Sequence, residues 1–68
     1  MTTDKIIVLA RKHLGGVMES SARFCLAEAV RLKDEGKLDY ARKWALRSME
    51  YSVGIFNADY KRASKGAA

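Results

Sequence analysis

The segment KDEGKLD, residues 33–39, is the clear break in a chain that contains no proline. Gly36 follows the polar end of a helical pattern and suits a left-handed helix C-terminus. Asp39 is positioned to cap the following helix with its carboxylate. Gly54 costs a helix about 1 kcal/mol relative to alanine but need not end it. The sequence therefore predicts an all-α antiparallel hairpin with helices at about residues 4–35 and 39–64, a turn at 36–38 and a frayed end at 65–68.

The pair Gly15–Gly16 offers a second break, which would divide the first helix and give three helices in all. Against a break, the apolar residues of this region step by four or seven positions and stay in register across the pair. We therefore prefer the hairpin, with a kink at the glycines, and keep the three-helix layout as the alternative. The residues of this stripe are Ile7, Leu14, Met18, Cys25 and Leu32.

The small size of the chain limits its stability. Its 68 residues make one domain, 1–68, and a domain of this size buries only about 60% of the surface that its unfolded form exposes. Small domains usually gain stability from disulfides, a metal or self-association. Cys25 is the single cysteine and His13 the single histidine, so we expect no internal disulfide, no structural zinc site and no cofactor. Self-association is the remaining route.

The second predicted helix is apolar around much of its circumference. On a helical wheel its apolar arc covers about 240°, whereas a helix facing one core needs about 100°. One edge of the arc is a heptad seam, the middle is a row of small residues, and the other edge is aromatic. A single neighbouring helix leaves much of this arc uncovered, so we expect a symmetric homodimer in which two hairpins form a four-helix bundle. The residues assigned to the core or the dimer contact are Phe24, Leu46, Met49, Val53, Phe56 and Tyr60.

The aromatic edge of the second helix carries Tyr40, Trp44 and Tyr51, with Lys43 and Arg47 beside them. One interpretation is packing in the core or the dimer contact. A second is a surface that grips another protein, because Trp, Tyr and Arg are enriched at binding hot spots. A third is nucleic-acid binding, with rings stacking on bases and cations meeting phosphates. Acidic residues interrupt the patch and no nucleic-acid motif is present, which favours packing and protein binding.

The sequence lacks a catalytic constellation, so an enzyme is not expected. Cys25 and His13 are twelve residues apart, the acidic residues form no paired carboxylates, and no phosphate-binding glycine loop is present. The net charge of +5 suits an acidic protein, a nucleic acid or a membrane surface as partner. The longest apolar run, Ile6 to Ala10, is too short for a membrane span or a secretion signal, which predicts a cytoplasmic protein with no membrane partner.

The stretches MTTDKIIVLARKHLGG and DYARKWALRSMEY, with the turn at Gly36 between them, resemble the small quorum-sensing anti-activator proteins of Mu-like phages that infect pseudomonads. The resemblance implies a dimeric helical hairpin, made early in infection, that binds the DNA-binding domain of a LuxR-type transcriptional regulator and blocks promoter binding. It also allows inhibition of the ATPase that assembles type IV pili. On this interpretation the edge carrying Tyr40, Lys43, Trp44 and Arg47 grips the partner.

Three hypotheses of different classes follow. The first is a small dimeric inhibitor that occupies a surface of a host protein in the bacterial cytoplasm. The alternative is a small basic accessory protein that binds nucleic acid through Arg42, Lys43, Arg47, Lys61 and Arg62. The third is a structural protein that assembles beyond the dimer.

Overall fold

The computed structural model of the chain describes residues 1–65. This part of the chain contains four α-helices and no β-strand: α1 (Thr3–Lys12), α2 (Glu19–Asp34), α3 (Leu38–Ser52) and α4 (Ala58–Lys65). The prediction of an all-α fold is confirmed. Of the predicted frayed end, Lys65 closes α4, whereas residues 66–68 lie outside the described residues.

The first helix is not continuous, so the preferred helix at residues 4–35 is wrong and the alternative, a break at Gly15–Gly16, is confirmed. α1 ends at Lys12, and the amide of Leu14 turns back to the carbonyl of Arg11 at 3.3 Å. Gly16 has a φ of +80°, a left-handed conformation that glycine adopts without the steric cost of a side chain. Met18, which a straight helix would place in the buried stripe, is largely exposed, although Ile7 and Cys25 are buried. The matching apolar register across the glycines therefore did not indicate continuity.

The turn between α2 and α3 has the helix C-terminus predicted at Gly36. The Gly36 amide donates to the carbonyl of Lys33 and the Lys37 amide to that of Leu32, both at 2.9 Å, and Gly36 has a φ of +80°. The predicted cap at Asp39 is wrong. α3 begins one residue earlier, after Lys37, so Asp39 lies in its first turn, where its negative charge still faces the positive end of the helix.

The second helix is also divided, which corrects the predicted helix at residues 39–64. The Gly54 amide donates to the carbonyl of Glu50 at 3.1 Å, and its φ of +84° ends α3 in the left-handed conformation. α4 then begins after Asn57, which caps it: its Oδ1 accepts hydrogen bonds from the amides of Asp59 and Tyr60 at 2.8 and 3.1 Å. The heptad seam from Leu46 to Tyr60 is therefore not one face of one helix.

α3 is the central element, because it contacts each of the other three helices and packs most extensively against α2. Its small residues Ala41, Ala45 and Ser48 are fully buried, and Ser48 Oγ donates a hydrogen bond of 2.8 Å to the carbonyl of Ala22 on α2. Small side chains here let the two backbones approach closely. The core cluster comprises Ile6, Ile7, Ala10, Leu26, Ala29, Ala45, Met49 and Ala63.

α4 is fastened to the other helices largely by polar contacts. Arg42 Nη2 donates to the carbonyl of Ala63 at 3.0 Å. His13 Nε2 and Asp59 Oδ2 are 2.8 Å apart and join the end of α1 to α4. Within residues 1–65, no helix is long and apolar enough to cross a lipid bilayer.

Candidate functional site

The five residues predicted to bind a partner lie along one side of α3. Tyr40, Trp44, Arg47 and Tyr51 follow one another by four, three and four positions, and Lys43 is adjacent. This spacing brings side chains together on one side of an α-helix. Tyr40 is 60% exposed and Tyr51 38%, whereas Trp44 is half-buried and packs against the core cluster. The aromatic side of α3 is thus accessible to solvent at Tyr40 and Tyr51 and packed against the core at Trp44.

Phe24 on α2 extends this row beyond α3. Its ring centroid is 6.1 Å from that of Trp44, and the two ring planes are inclined by 77°, an edge-to-face arrangement. Phe24 was assigned from the sequence to the core or the dimer contact, but it is 60% exposed and lies outside the core of the chain. We define the aromatic–basic surface as Phe24, Tyr40, Lys43, Trp44, Arg47 and Tyr51.

Two shallow depressions lie side by side on this surface and share Trp44 and Arg47 as their common border. The first is completed by Tyr40, Lys43, Leu46, Glu50 and Tyr60. The second is completed by Ser20, Ser21, Phe24, Cys25 and Tyr51. A third depression, toward the end of α3, is lined by Arg47, Glu50, Tyr51, Gly54 and Ile55. Arg47 therefore borders all three.

The charged groups of the surface have different engagements. Lys43 Nζ lies 5.6 Å from the centre of the Tyr40 ring, a cation–π distance. Glu50 accepts a hydrogen bond of 2.9 Å from the Tyr60 hydroxyl, and burial together with this carboxylate raises the pKa of Tyr60. Arg47 forms no ion pair with any residue of the described chain. Its guanidinium is thus uncommitted.

Cys25 and His13 take part in different contacts. Cys25 is buried at the edge of the second depression, and its burial raises the pKa of the thiol, while the positive charge of Arg47 partly opposes this effect. His13 instead contacts Asp59, and this hydrogen bond, with the nearby Arg62 guanidinium, lowers the pKa of the Asp59 carboxyl. The described residues contain no group of three or more His, Cys, Asp or Glu side chains that could hold a metal ion.

The residues predicted for the core or the dimer contact fall into different environments. Met49 is fully buried, and Leu46, Val53 and Tyr60 are partly buried against the core cluster. Phe56 is 83% exposed in the connection between α3 and α4. The left-handed Gly54 redirects the chain, so the heptad spacing no longer brings Phe56 to the side that Met49 occupies.

Ser20, Ser21 and Cys25 also line this site and were not predicted there, whereas Glu50 was expected only as an acidic residue that interrupts the patch. The contact of Phe24 with Trp44 was not predicted either, because it depends on how α2 packs against α3. No sequence pattern predicted the contact of Glu50 with Tyr60, because this contact depends on the reversal of the chain at Gly54. Comparison of the chain with protein-family models, curated proteins and solved structures finds no match.

Proposed function

We propose that this protein is a small inhibitor that acts by binding another protein through the aromatic–basic surface, without catalysing a reaction. The observation that carries the proposal is the open row of Tyr40, Trp44 and Tyr51 beside Arg47, extended by Phe24. Trp, Tyr and Arg are enriched among the residues that supply most of the binding energy in protein interfaces. The aromatic rings bury a large area with little loss of side-chain freedom, and the guanidinium offers several hydrogen-bond donors. Such a row on a small helical chain is suited to blocking a partner's surface.

The engagement of the cations favours a protein over a nucleic acid. Of the five cations in the nucleic-acid hypothesis, Arg42 donates to the backbone of α4 and Arg62 pairs with Asp59. Lys43, Arg47 and Lys61 remain, and the carboxylate of Glu50 lines the same depression as Lys43 and Arg47. Nucleic-acid binding relies on many cations that neutralise successive phosphates, and this arrangement offers few.

The resemblance to phage anti-activators supplies the first candidate partner, the DNA-binding domain of a LuxR-type regulator in the cytoplasm of the bacterial host. Binding would block the promoter by steric overlap. The type IV pilus assembly ATPase is the second candidate. We further propose that the protein acts as a homodimer, supported by the exposure of Val17, Ile55 and Phe56, which are apolar and uncovered in the single chain.

The test is a calorimetric titration of the purified DNA-binding domain with the wild type and with Tyr40→Ala. We expect Tyr40→Ala to weaken binding at least tenfold, about 1.4 kcal/mol, with unchanged helicity because the ring is exposed. Arg11→Ala, an exposed change on α1, is the control. Equal affinity of the wild type and Tyr40→Ala would place the contact elsewhere. A domain that does not bind removes this partner, and the same titration then addresses the ATPase.

A gel-shift measurement tests inhibition separately from binding. Addition of the wild type should release the regulator domain from its promoter DNA, and Tyr40→Ala should need at least about tenfold more protein for the same release. The chain alone is titrated against the same DNA at two salt concentrations. Direct binding with a steep salt dependence would support the nucleic-acid hypothesis instead.

A further inference from the structure

Arg47 occupies a singular position on the aromatic–basic surface, because it borders all three depressions. It is exposed and forms no ion pair with the rest of residues 1–65. A guanidinium presents five N–H donors in a planar fork, which matches the two oxygens of a carboxylate. Its open donors therefore suit a ligand that carries a carboxylate.

Three of the other arginines pair with carboxylates on or next to their own helices: Arg23 with Glu19, Arg31 with Glu28 and Glu35, and Arg62 with Asp59. Arg42, three residues after Asp39, instead donates to the backbone carbonyl of Ala63. Arg47 has Glu50 at the same i, i+3 spacing, but the Glu50 carboxylate accepts a hydrogen bond from Tyr60 on α4. The reversal of the chain at Gly54, which brings α4 back to α3, thus provides Glu50 with a different partner.

The surroundings of Arg47 add two further constraints. Trp44 and Tyr51 stand beside it, and a partner seated on their rings would exclude water from the guanidinium, which strengthens a charge-assisted hydrogen bond. Lys43 lies four residues earlier on α3 and forms no ion pair within the described part of the chain. Two cations without a carboxylate partner in the described chain are therefore about one helical turn, or ~6 Å, apart along α3.

We propose that the aromatic–basic surface receives an acidic segment of the partner protein, with one carboxylate on Arg47 and a second toward Lys43. Apolar side chains of the same segment fill the depressions on the two sides of Trp44. This inference rests on the proposed function and specifies the partner's chemistry. In a DNA-binding domain, such a segment would lie beside the basic DNA-contacting face, because a chain with net charge +5 is repelled by that face.

The first experiment selects binders from a random library of peptides of about 12 residues, which span about 18 Å as a helix. The immobilised wild type is the target, and Tyr40→Ala is used to discard peptides that bind elsewhere. We expect enrichment of Asp or Glu at positions three or four apart, flanked by apolar residues. Replacement of these acidic residues by Asn or Gln should weaken binding roughly five- to tenfold.

The second experiment exchanges the charge. Binding of the best selected peptide is followed through the fluorescence of Trp44, which is the single tryptophan of the chain. Arg47→Gln should weaken binding roughly five- to tenfold, and Arg11→Gln, a change of equal charge on α1, should leave it unchanged. When Arg47→Glu is the immobilised target, the selected peptides should carry basic rather than acidic residues. Circular dichroism of each variant verifies the fold.

The outcomes separate this inference from the proposed function. Peptides that depend on Tyr40 but bind equally well as Glu and Gln forms would overturn the acidic segment and leave protein binding intact. A library from which every binder also binds Tyr40→Ala, so that none is retained, would overturn both. Saturation of the Trp44 signal by single-stranded DNA at lower concentration than by any peptide would assign the cations to phosphate instead.

Discussion

Phe24 on α2 and Trp44 on α3 meet edge to face, with ring centroids 6.1 Å apart. This pair joins the two helices that pack most extensively and also lies on the aromatic–basic surface. Trp44 is half-buried against the core, whereas most of the Phe24 ring remains accessible. The same contact therefore serves both the packing of the helices and the shape of the proposed binding surface.

Replacement of Phe24 by alanine should weaken partner binding more than folding. The aromatic contact stabilises by about 0.5–1.5 kcal/mol beyond the area it buries, so we expect the free energy of unfolding to fall by roughly 1 kcal/mol. Urea unfolding measures this loss and calorimetry the binding. A loss of unfolding free energy above about 3 kcal/mol would instead indicate that a second copy buries the ring.

Replacement of Gly54 by alanine tests the division between α3 and α4, because the sign of the change in the free energy of unfolding differs between a left-handed turn and a continuous helix. At a φ of +84°, an L-residue costs about 1–2 kcal/mol, so Gly54→Ala should lower the free energy of unfolding by that amount. No atom crowds a Cβ at this position, so backbone conformation is the cause. In a continuous helix the same change would stabilise by about 1 kcal/mol. Gly36→Ala, at a φ of +80°, is the matched comparison.

Asp59 should contribute to stability at neutral pH and lose this contribution in acid. The hydrogen bond with His13 and the ion pair with Arg62 hold the pKa of Asp59 below its ordinary value. Stability from a lowered carboxyl pKa is fully present above the unfolded pKa, about 3.9, and is lost as the pH falls through the folded pKa. Asp59→Asn should therefore be less stable at pH 7 and lose less stability in acid.

Thermal unfolding of the wild type and Asp59→Asn between neutral pH and about pH 2 measures this difference. Asp34→Asn removes the same charge from an exposed carboxylate outside these contacts and serves as the control. Parallel curves for the wild type and Asp59→Asn would mean that the contact between α1 and α4 does not favour the ionised carboxylate.

Sedimentation should detect association of the chain at micromolar concentration. Phe56→Ser should shift the equilibrium toward the monomer with a stability change within about 0.5 kcal/mol, because the ring is 83% exposed in the single chain. Ser20→Ala, an exposed change that removes no apolar surface, is the control. A well-folded wild-type monomer at this concentration would contradict the homodimer, and the exposed apolar residues would then need a different partner.

Local signals predicted part of the fold. The turn at Gly36 follows from a glycine after a polar helix end, and the spacing of Tyr40, Trp44, Arg47 and Tyr51 is the same in a long helix as in α3. The break at Gly15–Gly16 was kept only as the alternative and the end of α3 at Ser52 was missed, because glycine is compatible with both a helix and a left-handed turn. The choice depends on packing: once α1 folds back, Ile6 and Ala10 join the core cluster.

The predicted site suffered from the same limitation. A helical wheel of the second predicted helix assumes one axis, so it placed Phe56 with Met49, although Gly54, in the left-handed conformation, lies between them. The engagement of Glu50 with Tyr60 is a contact between two helices, and no spacing within α3 encodes it. Periodicity identifies which residues share a face, but the uncommitted state of Arg47 follows only from the arrangement of α4.

The polar fastening of α4 has a consequence for hydrogen exchange. Ala63 is the buried residue of α4. The other contacts of this helix are hydrogen bonds that involve Arg42, Asp59 and Tyr60, and water can replace the partners in such bonds. Segments with little buried apolar area open locally at a lower free energy than the whole chain. The amides of α4 should thus exchange with deuterium before those of α2 and α3. Each such opening would break the hydrogen bond from Tyr60 to Glu50 and free the Glu50 carboxylate to pair with Arg47. Local opening of α4 and binding of a partner's carboxylate to Arg47 would therefore oppose each other.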